Sequence, residues 1–334
     1  MTRHKNIRRL LLIVSIFSIL TLFGCTDSDW RIDNPYAEVD WTQYQQVKAN
    51  FHTHTTQSDG RESPAQVIAL YDSLDYGALA LTDHNRVTWS WQEYDQDPDQ
   101  LEMIAIQGAE ASRHHHMGTF FCNVPGDTSV TGSLAEVRKQ NGLAIMFHPG
   151  RYDWTVADYV ALYRDWSECI GMEIYNQGDR YSGDRETWDQ VLTALMPEGR
   201  PVWGFSDDDL HNKGHLGRNW TVLLLPELSA QAVRQAMEKG VFFFVYAPER
   251  KEGLLPPEIQ SIQVDAQEAT IQINATGYDR IEWISQGNSV HQGEMIDLSL
   301  TPEARGYIRA VLYAGDDNAL IGTQPFRIQR QGEY

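Results

Sequence analysis

Nine of the 11 histidines in this 334-residue chain lie between His52 and His215. They come in short clusters with carboxylates, each cluster at the edge of an apolar run. Phe51-His52-Thr53-His54 ends the first run. In an extended chain residues i and i+2 point to the same side, so both imidazoles face one place. Asp59 follows in a Ser58-Asp59-Gly60 turn. Leu81-Thr82-Asp83-His84, Gly108-Ala109-Glu110, His114-His115-His116, Phe147-His148-Pro149 and Asp207-Asp208-Asp209-Leu210-His211 repeat the arrangement. Any one of them has an ordinary explanation, such as a capping Asp, an Asx turn or a His satisfied by a carbonyl. Their recurrence does not, because apolar strands have no reason to end so regularly in metal-ligand residue types. Crowding these groups together without cations would be costly, whereas divalent ions neutralise the carboxylates and hold the imidazoles as ligands.

Such a donor set is all nitrogen and oxygen, which suits Zn, Mn or Fe and disfavours Cu(I) or an iron–sulfur cluster. With two or three divalent ions, a bridging water loses its proton near neutral pH and acts as the nucleophile, while the ions clamp phosphoryl oxygens. The expected activity is therefore metal-dependent hydrolysis of a phosphoester, with a non-phosphate ester or amide, or a non-catalytic surface-binding role, as alternatives. There is no Gly-x-Ser-x-Gly elbow, nucleotide-type phosphate loop or dinucleotide fingerprint. A phosphate substrate also calls for cationic side chains. Arg151, two residues after Pro149, is the best placed; Arg86, Arg113, Lys213 and Arg218 are alternatives. His215 and Asp208 are candidates to protonate a leaving group, and Glu173 to support a ligand or touch substrate.

These residues need a scaffold that brings strand ends together. Apolar runs at Val47–Thr53, Ala78–Thr82, Met103–Gln107, Met117–Cys122, Leu143–Phe147, Ile170–Tyr175 and Val202–Phe205 read as strands. Helical spacing at Pro64–Leu74 and Leu134–Gln140 separates some of them, with Ser63-Pro64 a good helix start. Strands alternating with helices indicate an α/β fold with a mainly parallel sheet, and seven units favour a barrel whose loops meet at one mouth. Ser229–Lys239 reads as a further helix and Val241–Val245 as a last buried strand. Residues 252–258 form a Gly- and Pro-containing linker. From Ile259 to the end, short alternating strands separated by turns predict a small all-β, sandwich-like domain, with Trp283 and Tyr307 in its core.

Five of these clusters, His52-Thr53-His54 with Ser58-Asp59-Gly60, Thr82-Asp83-His84, Gly108-Ala109-Glu110, Phe147-His148-Pro149 and Asp209-Leu210-His211, in this order resemble the motifs of the PHP superfamily, the polymerase and histidinol phosphatase metallohydrolases. The resemblance covers roughly residues 47–251. It implies a distorted seven-stranded barrel holding up to three divalent ions. Carried over by position, His52, His54, Glu110 and Asp209 would bind one ion; Glu110, His116 and His148 the second; Asp59, His84 and His211 the third. Glu110 would bridge two ions. Strand register favours His116 over His115, and spacing to His211 favours Asp209 over Asp207 or Asp208. The catalytic assignment that follows is Glu110, Asp209 and Arg151.

Residues 1–24 have the layout of a secretory signal: Arg3, Lys5, Arg8 and Arg9, a short apolar run, then Leu22-Phe23-Gly24-Cys25. That last segment resembles a bacterial lipobox, which predicts lipidation of Cys25, membrane attachment through it, and a tether over residues 25–46. Thr26, rather than Asp, after the Cys favours the outer membrane, facing the periplasm. The formal net charge of −19 becomes four units more negative on removal of the signal. No nucleic-acid partner is expected of so acidic a chain without a basic stripe; a small phosphorylated or ester substrate is. Cys122 and Cys169 could pair in an oxidising envelope or remain buried thiols.

Overall fold

A computed structural model describes residues 29–330 and 332; the signal, Cys25 and its lipobox lie outside the described residues. The strands are β1 (Trp30–Asp33), β2 (Gln45–Asn50), β3 (Tyr76–Ala80), β4 (Ile104–Ile106), β5 (Gly108–Ala111), β6 (Met117–Phe120), β7 (Leu143–Met146), β8 (Cys169–Asn176), β9 (Trp203–Asp207), β10 (Asn219–Leu225) and β11 (Phe242–Tyr246). Eight more follow: β12 (Glu258–Asp265), β13 (Thr270–Thr276), β14 (Arg280–Ser285), β15 (Asn288–Gln292), β16 (Met295–Asp297), β17 (Tyr307–Ala314), β18 (Ala319–Thr323) and β19 (Phe326–Arg330). The helices are α1 (Pro64–Asp72), α2 (Pro98–Leu101), α3 (Val130–Lys139), α4 (Val156–Asp165), α5 (Asp184–Leu195) and α6 (Ala230–Lys239).

Local sequence explains the helix ends. Ser63 and Gln66 form a capping box at α1, with Pro64 filling the first position, where a missing N–H does no harm. Ser129 and Ser229 cap α3 and α6, and Gly240 closes α6 in the left-handed conformation.

All seven strands expected from the apolar runs are present, but they divide between two sheets. One has β2, β3 and β4 in parallel, with β10 antiparallel to β2 and β11 antiparallel to β10. The other runs β5-β6-β7-β8-β9, antiparallel through β7 and parallel from there on. The third expected strand is in fact two: β4 belongs to the first sheet, and β5, which carries Glu110, to the second. The fully buried rings of Phe51, Phe120 and Phe205 meet edge to face, with centroids 5.8 to 5.9 Å apart, between the sheets.

The β-rich carboxyl-terminal region differs from the separate sandwich expected. β18 pairs with β11, so β17, β18 and β19 continue the first sheet, and only β12, β13 and β16 form a sheet of their own. Trp283 on β14 and Tyr307 on β17, both in the continued first sheet, are buried. The expected tether also differs: β1 pairs with β19, and the Tyr36 hydroxyl donates to the Phe242 carbonyl at 3.0 Å while accepting from the Gln324 N–H at 2.8 Å. Buried pairing of this kind ties residues 30–36 to the body of the protein. Cys122 and Cys169 are buried free thiols.

Candidate metal centre

The clusters converge where the two sheets meet. Isolated bridges join Thr53 to Leu210 and His84 to Glu110, stitching the loop after β2 and the segment after β3 to the second sheet. Glu110, wholly buried, sits at the centre. Its Oε1 lies 2.6 Å from His116 Nδ1, 3.4 Å from His148 Nε2 and 3.5 Å from His52 Nε2. Its Oε2 lies 2.7 Å from His84 Nδ1 and 3.3 Å from His54 Nε2. Asp209 Oδ1 is 3.1 Å from His54 Nε2 and 3.2 Å from His52 Nε2. Asp59 Oδ2, on the solvent side, approaches His211 Nε2 at 3.3 Å and His84 Nε2 at 3.5 Å.

Four groups have ligand atoms all within 4.8 Å of one another: His54, Asp59, His84 and His211; His52, His54 and Glu110; His52, His148 and Asp209; and His84, Glu110 and His116. All nine residues named by the motif resemblance fall in these groups. Close as they are, many of these atoms make no hydrogen bond. His52 Nε2, His54 Nε2, His84 Nδ1, both oxygens of Glu110, His116 Nδ1 and Asp209 Oδ1 are buried and unpartnered. Orphaned buried polar atoms are rare in native proteins, and here they are all good ligand atoms pointing at one another, which fits divalent cations.

The ambiguous positions separate by contact. His115 turns away: its Nε2 faces the Tyr159 hydroxyl at 2.7 Å, and its ring stacks on Tyr152. Asp208 accepts from the backbone N–H groups of Gly217, Arg218 and Asn219 and from the Tyr71 hydroxyl. That fixes the loop behind His211 and leaves Asp208 no path to a leaving group, contrary to the role considered for it. Asp207 accepts from the Phe51 N–H at 2.7 Å. Three successive acids thus have three different tasks, and only Asp209 faces the imidazoles.

Supporting contacts hold the ligand-bearing loops. Asp83 accepts from the Thr55 N–H, the Thr55 and Thr88 hydroxyls and the Ser58 hydroxyl. It was legible in the sequence only as a neighbour of His84. Gly60 passes so close to the His54 carbonyl that a Cβ there would sit 2.4 Å from the oxygen, so the turn presenting Asp59 requires glycine. Arg151 lies on the rim with its guanidinium 6.0 Å from the Tyr152 ring centroid. Its side chain is exposed and reaches none of the nine residues. Among the described residues, the Arg218 guanidinium donates to the Gln177 carbonyl, at 3.4 Å, and to none of the nine. His215 faces the Asp209 carbonyl at 3.3 Å and Asn212 at 3.1 Å.

Electrostatics follow from the crowding. Burial disfavours a charged His52, but Asp209, Glu173 and Glu110 outweigh it and hold the imidazole well above the usual histidine range. Burial prevails at His54 and His116, which are lowered. Burial likewise disfavours ionised Glu110 and Asp209, yet the surrounding imidazoles, His52 foremost, hold both well below the carboxylate range. In the metal-free protein a proton on His52 occupies part of the role a cation would take.

No family model matches the chain, and no curated protein does. Among solved structures, a two-domain protein from Bacteroides vulgatus, described as containing a predicted PHP-like metal-dependent phosphoesterase, is similar over 86% of this chain and 96% of its own, at 15% identity and a TM-score of 0.51. A candidate metal-dependent phosphoesterase from Bifidobacterium adolescentis matches over 58% of this chain and 96% of its own, at 16% identity and a TM-score of 0.42. An amidohydrolase from Chromobacterium violaceum matches over 50% and 89%, at 17% identity and a TM-score of 0.37. With 86% of this chain covered at a TM-score above 0.5, this chain shares the fold of that two-domain protein.

Proposed function

We propose that this protein is a metal-dependent phosphoester hydrolase with a di- or trinuclear centre in a PHP-type barrel over residues 47–251. The observation that carries the reading is the set of buried, unpartnered ligand atoms around Glu110. His52, His54, Glu110 and Asp209 would hold one divalent ion, Glu110, His116 and His148 a second, and Asp59, His84 and His211 a third, with Glu110 shared. Zn, Mn or Fe suits this nitrogen and oxygen set. Bound there, such ions supply an ionised water at neutral pH and positive charge for phosphoryl oxygens.

The chain's own residues do the rest. The surrounding imidazoles keep Glu110 and Asp209 ionised against the effect of burial, Phe147 stacks on the His52 ring with centroids 3.7 Å apart, and Asp83 holds the Ser58–Asp59 turn. Arg151, on the rim beside Tyr152, is placed to meet an anionic substrate rather than a metal. The fold neighbour's description as a predicted phosphoesterase supports the same substrate class. Acylation of Cys25 would attach the mature protein to the bacterial envelope, at the outer membrane, where a small phosphorylated substrate rather than nucleic acid is the partner; labelling with a fatty acid, lost in Cys25→Ser, tests the attachment.

The test of function is metal content of the purified full chain, then a panel of phosphomonoesters, phosphodiesters, carboxylic esters and amides. Two or three ions and phosphoester turnover, both lost in His52→Ala, are expected, with Arg151→Ala raising KM for phosphoesters. Turnover confined to carboxylic esters or amides would overturn the substrate class, and absence of bound metal would overturn the enzyme.

A further inference from the structure

We propose that Glu173 is a positioning residue that, with Asn176, locks His52 in the tautomer whose Nε2 is open to a cation. The inference rests on the metal-binding part of the reading above and not on its substrate. In a regular strand residues three apart point to opposite faces. β8 is not regular there: Glu173 pairs with Phe205 and Tyr175 with Ser206, so Ile174 is an extra residue with no partner of its own. Such a bulge re-aims the residues beyond it. It brings Glu173 and Asn176 to one face, where Asn176 Nδ2 donates to Glu173 Oε2 at 3.1 Å.

Between them the two side chains reach three ligand-bearing residues. Glu173 Oε1 lies 3.1 Å from His52 Nδ1, and Oε2 accepts from the His148 N–H at 2.8 Å. Asn176 Nδ2 also donates to Asp209 Oδ2 at 3.2 Å. Oε2 faces only donors, so it must accept. Oε1, as a carboxylate oxygen, can then only accept from His52, which puts an imidazole proton on Nδ1 and leaves Nε2 for Glu110, Asp209 and a cation. Glu173 is wholly buried, so no water substitutes for it.

Glutamine has nearly the same shape and fails this test. With its oxygen toward the His148 N–H and Asn176, its amide nitrogen would donate to His52 Nδ1 and drive the proton to Nε2, onto the ligand position. Turned the other way, it sets its amide against the His148 N–H. The full chain, stripped by a chelator and titrated with Zn2+, should therefore bind about 10- to 100-fold more weakly in both Glu173→Gln and Glu173→Ala. If Glu173 merely fills space, Glu173→Gln would bind like wild type, and that result overturns the proposal. Nitrogen-15 NMR of the histidine side chains in the zinc-loaded wild type gives a reading independent of how any variant folds: His52 protonated on Nδ1 and zinc-bound through Nε2 is expected, and the reverse refutes it. Neither measurement uses substrate, so zinc binding without phosphoester turnover would overturn the preceding reading and leave this one standing.

Discussion

Two buried charge clusters in this molecule resolve the same problem differently. Asp189 on α5 and Arg309 on β17 are both buried, and the guanidinium meets both carboxylate oxygens, Nε at 2.9 Å and Nη2 at 2.6 Å. The Tyr307 hydroxyl adds a contact at 2.6 Å, and Trp188 lies under the guanidinium. None of these three polar residues has a fully buried side-chain atom without a hydrogen bond. Around Glu110 the charges are as deeply buried, but the partners are wrong in kind. Carboxylates and imidazoles crowd against one another, and eight of their atoms, His148 Nδ1 among them, have no hydrogen bond. Burial of charge therefore does not mark a functional site by itself; burial with the ligand atoms unsatisfied does.

The sharpest way to break the comparison is to alter each cluster and read both metal and stability. Glu110→Gln removes the charge shared by the proposed ions. Turnover should fall by more than the roughly 100-fold that loss of an outer hydrogen-bond partner causes, with a matching loss of bound metal. Asp189→Asn leaves Arg309 buried without its counter-ion and should destabilise the protein by about 3–5 kcal/mol in denaturant titration. Its metal content per folded molecule should be that of the wild type. Metal loss in Asp189→Asn without unfolding would erase the distinction between the clusters.

Acidity separates them next. The raised pKa of His52 stabilises the metal-free fold fully below the ordinary histidine value, and this is lost as pH rises through the elevated one. The lowered pKa values of Glu110 and Asp209 stabilise it above the ordinary carboxylate range, a contribution lost as pH falls through their depressed values. A metal must displace the His52 proton, so Zn2+ affinity should weaken toward acid by about tenfold per pH unit for each proton displaced. Calorimetry in buffers of different ionisation heat counts those protons; zero release at pH 7 would contradict ligation by His52.

Within the metal centre a milder contrast remains. The side chains of His52, His54 and Glu110 are wholly buried, whereas His84 and His211 are 25% exposed and Asp59 54%. Water can replace a missing ligand only on that exposed side. Asp59→Asn should therefore release about one metal equivalent on dialysis and reduce turnover about tenfold, leaving the buried ligands loaded. Loss of all metal from Asp59→Asn would show the three positions to be a single cooperative unit.

Much of this was legible in the sequence because ligand residues must interrupt apolar strands, and interruptions are visible. His52 and His54 show as a pair from strand periodicity alone. The bulge in β8 was not legible, since strict alternation sets Glu173 and Asn176 on opposite faces and only the register against β9 shows otherwise. Nor was the pairing of β18 with β11, because short alternating strands look alike whether they close a separate sandwich or extend an existing sheet. Arg151 is close to His148 in sequence, but the turn over Pro149–Arg151 carries it outward to the rim.

The smallest effect tests whether a buried carboxylate near the centre belongs to it. Asp184, at the start of α5, accepts from the Gly150 N–H at 2.5 Å, and its other oxygen has no partner. Burial pushes its pKa up to about 8, so at neutral pH the folded protein holds it protonated while the unfolded chain does not. A raised carboxyl pKa takes stability away as pH climbs from the unfolded value toward the folded one. Asp184→Asn keeps an oxygen for Gly150 and removes that penalty, so the variant should be more stable than wild type at pH 7 by about 1–3 kcal/mol, and the gain should vanish near pH 3. Zn2+ affinity should be unchanged, because Asp184 reaches the loop after His148 and none of the ligand atoms. A loss of zinc affinity in this variant would move Asp184 from the structural side of the comparison to the metal side.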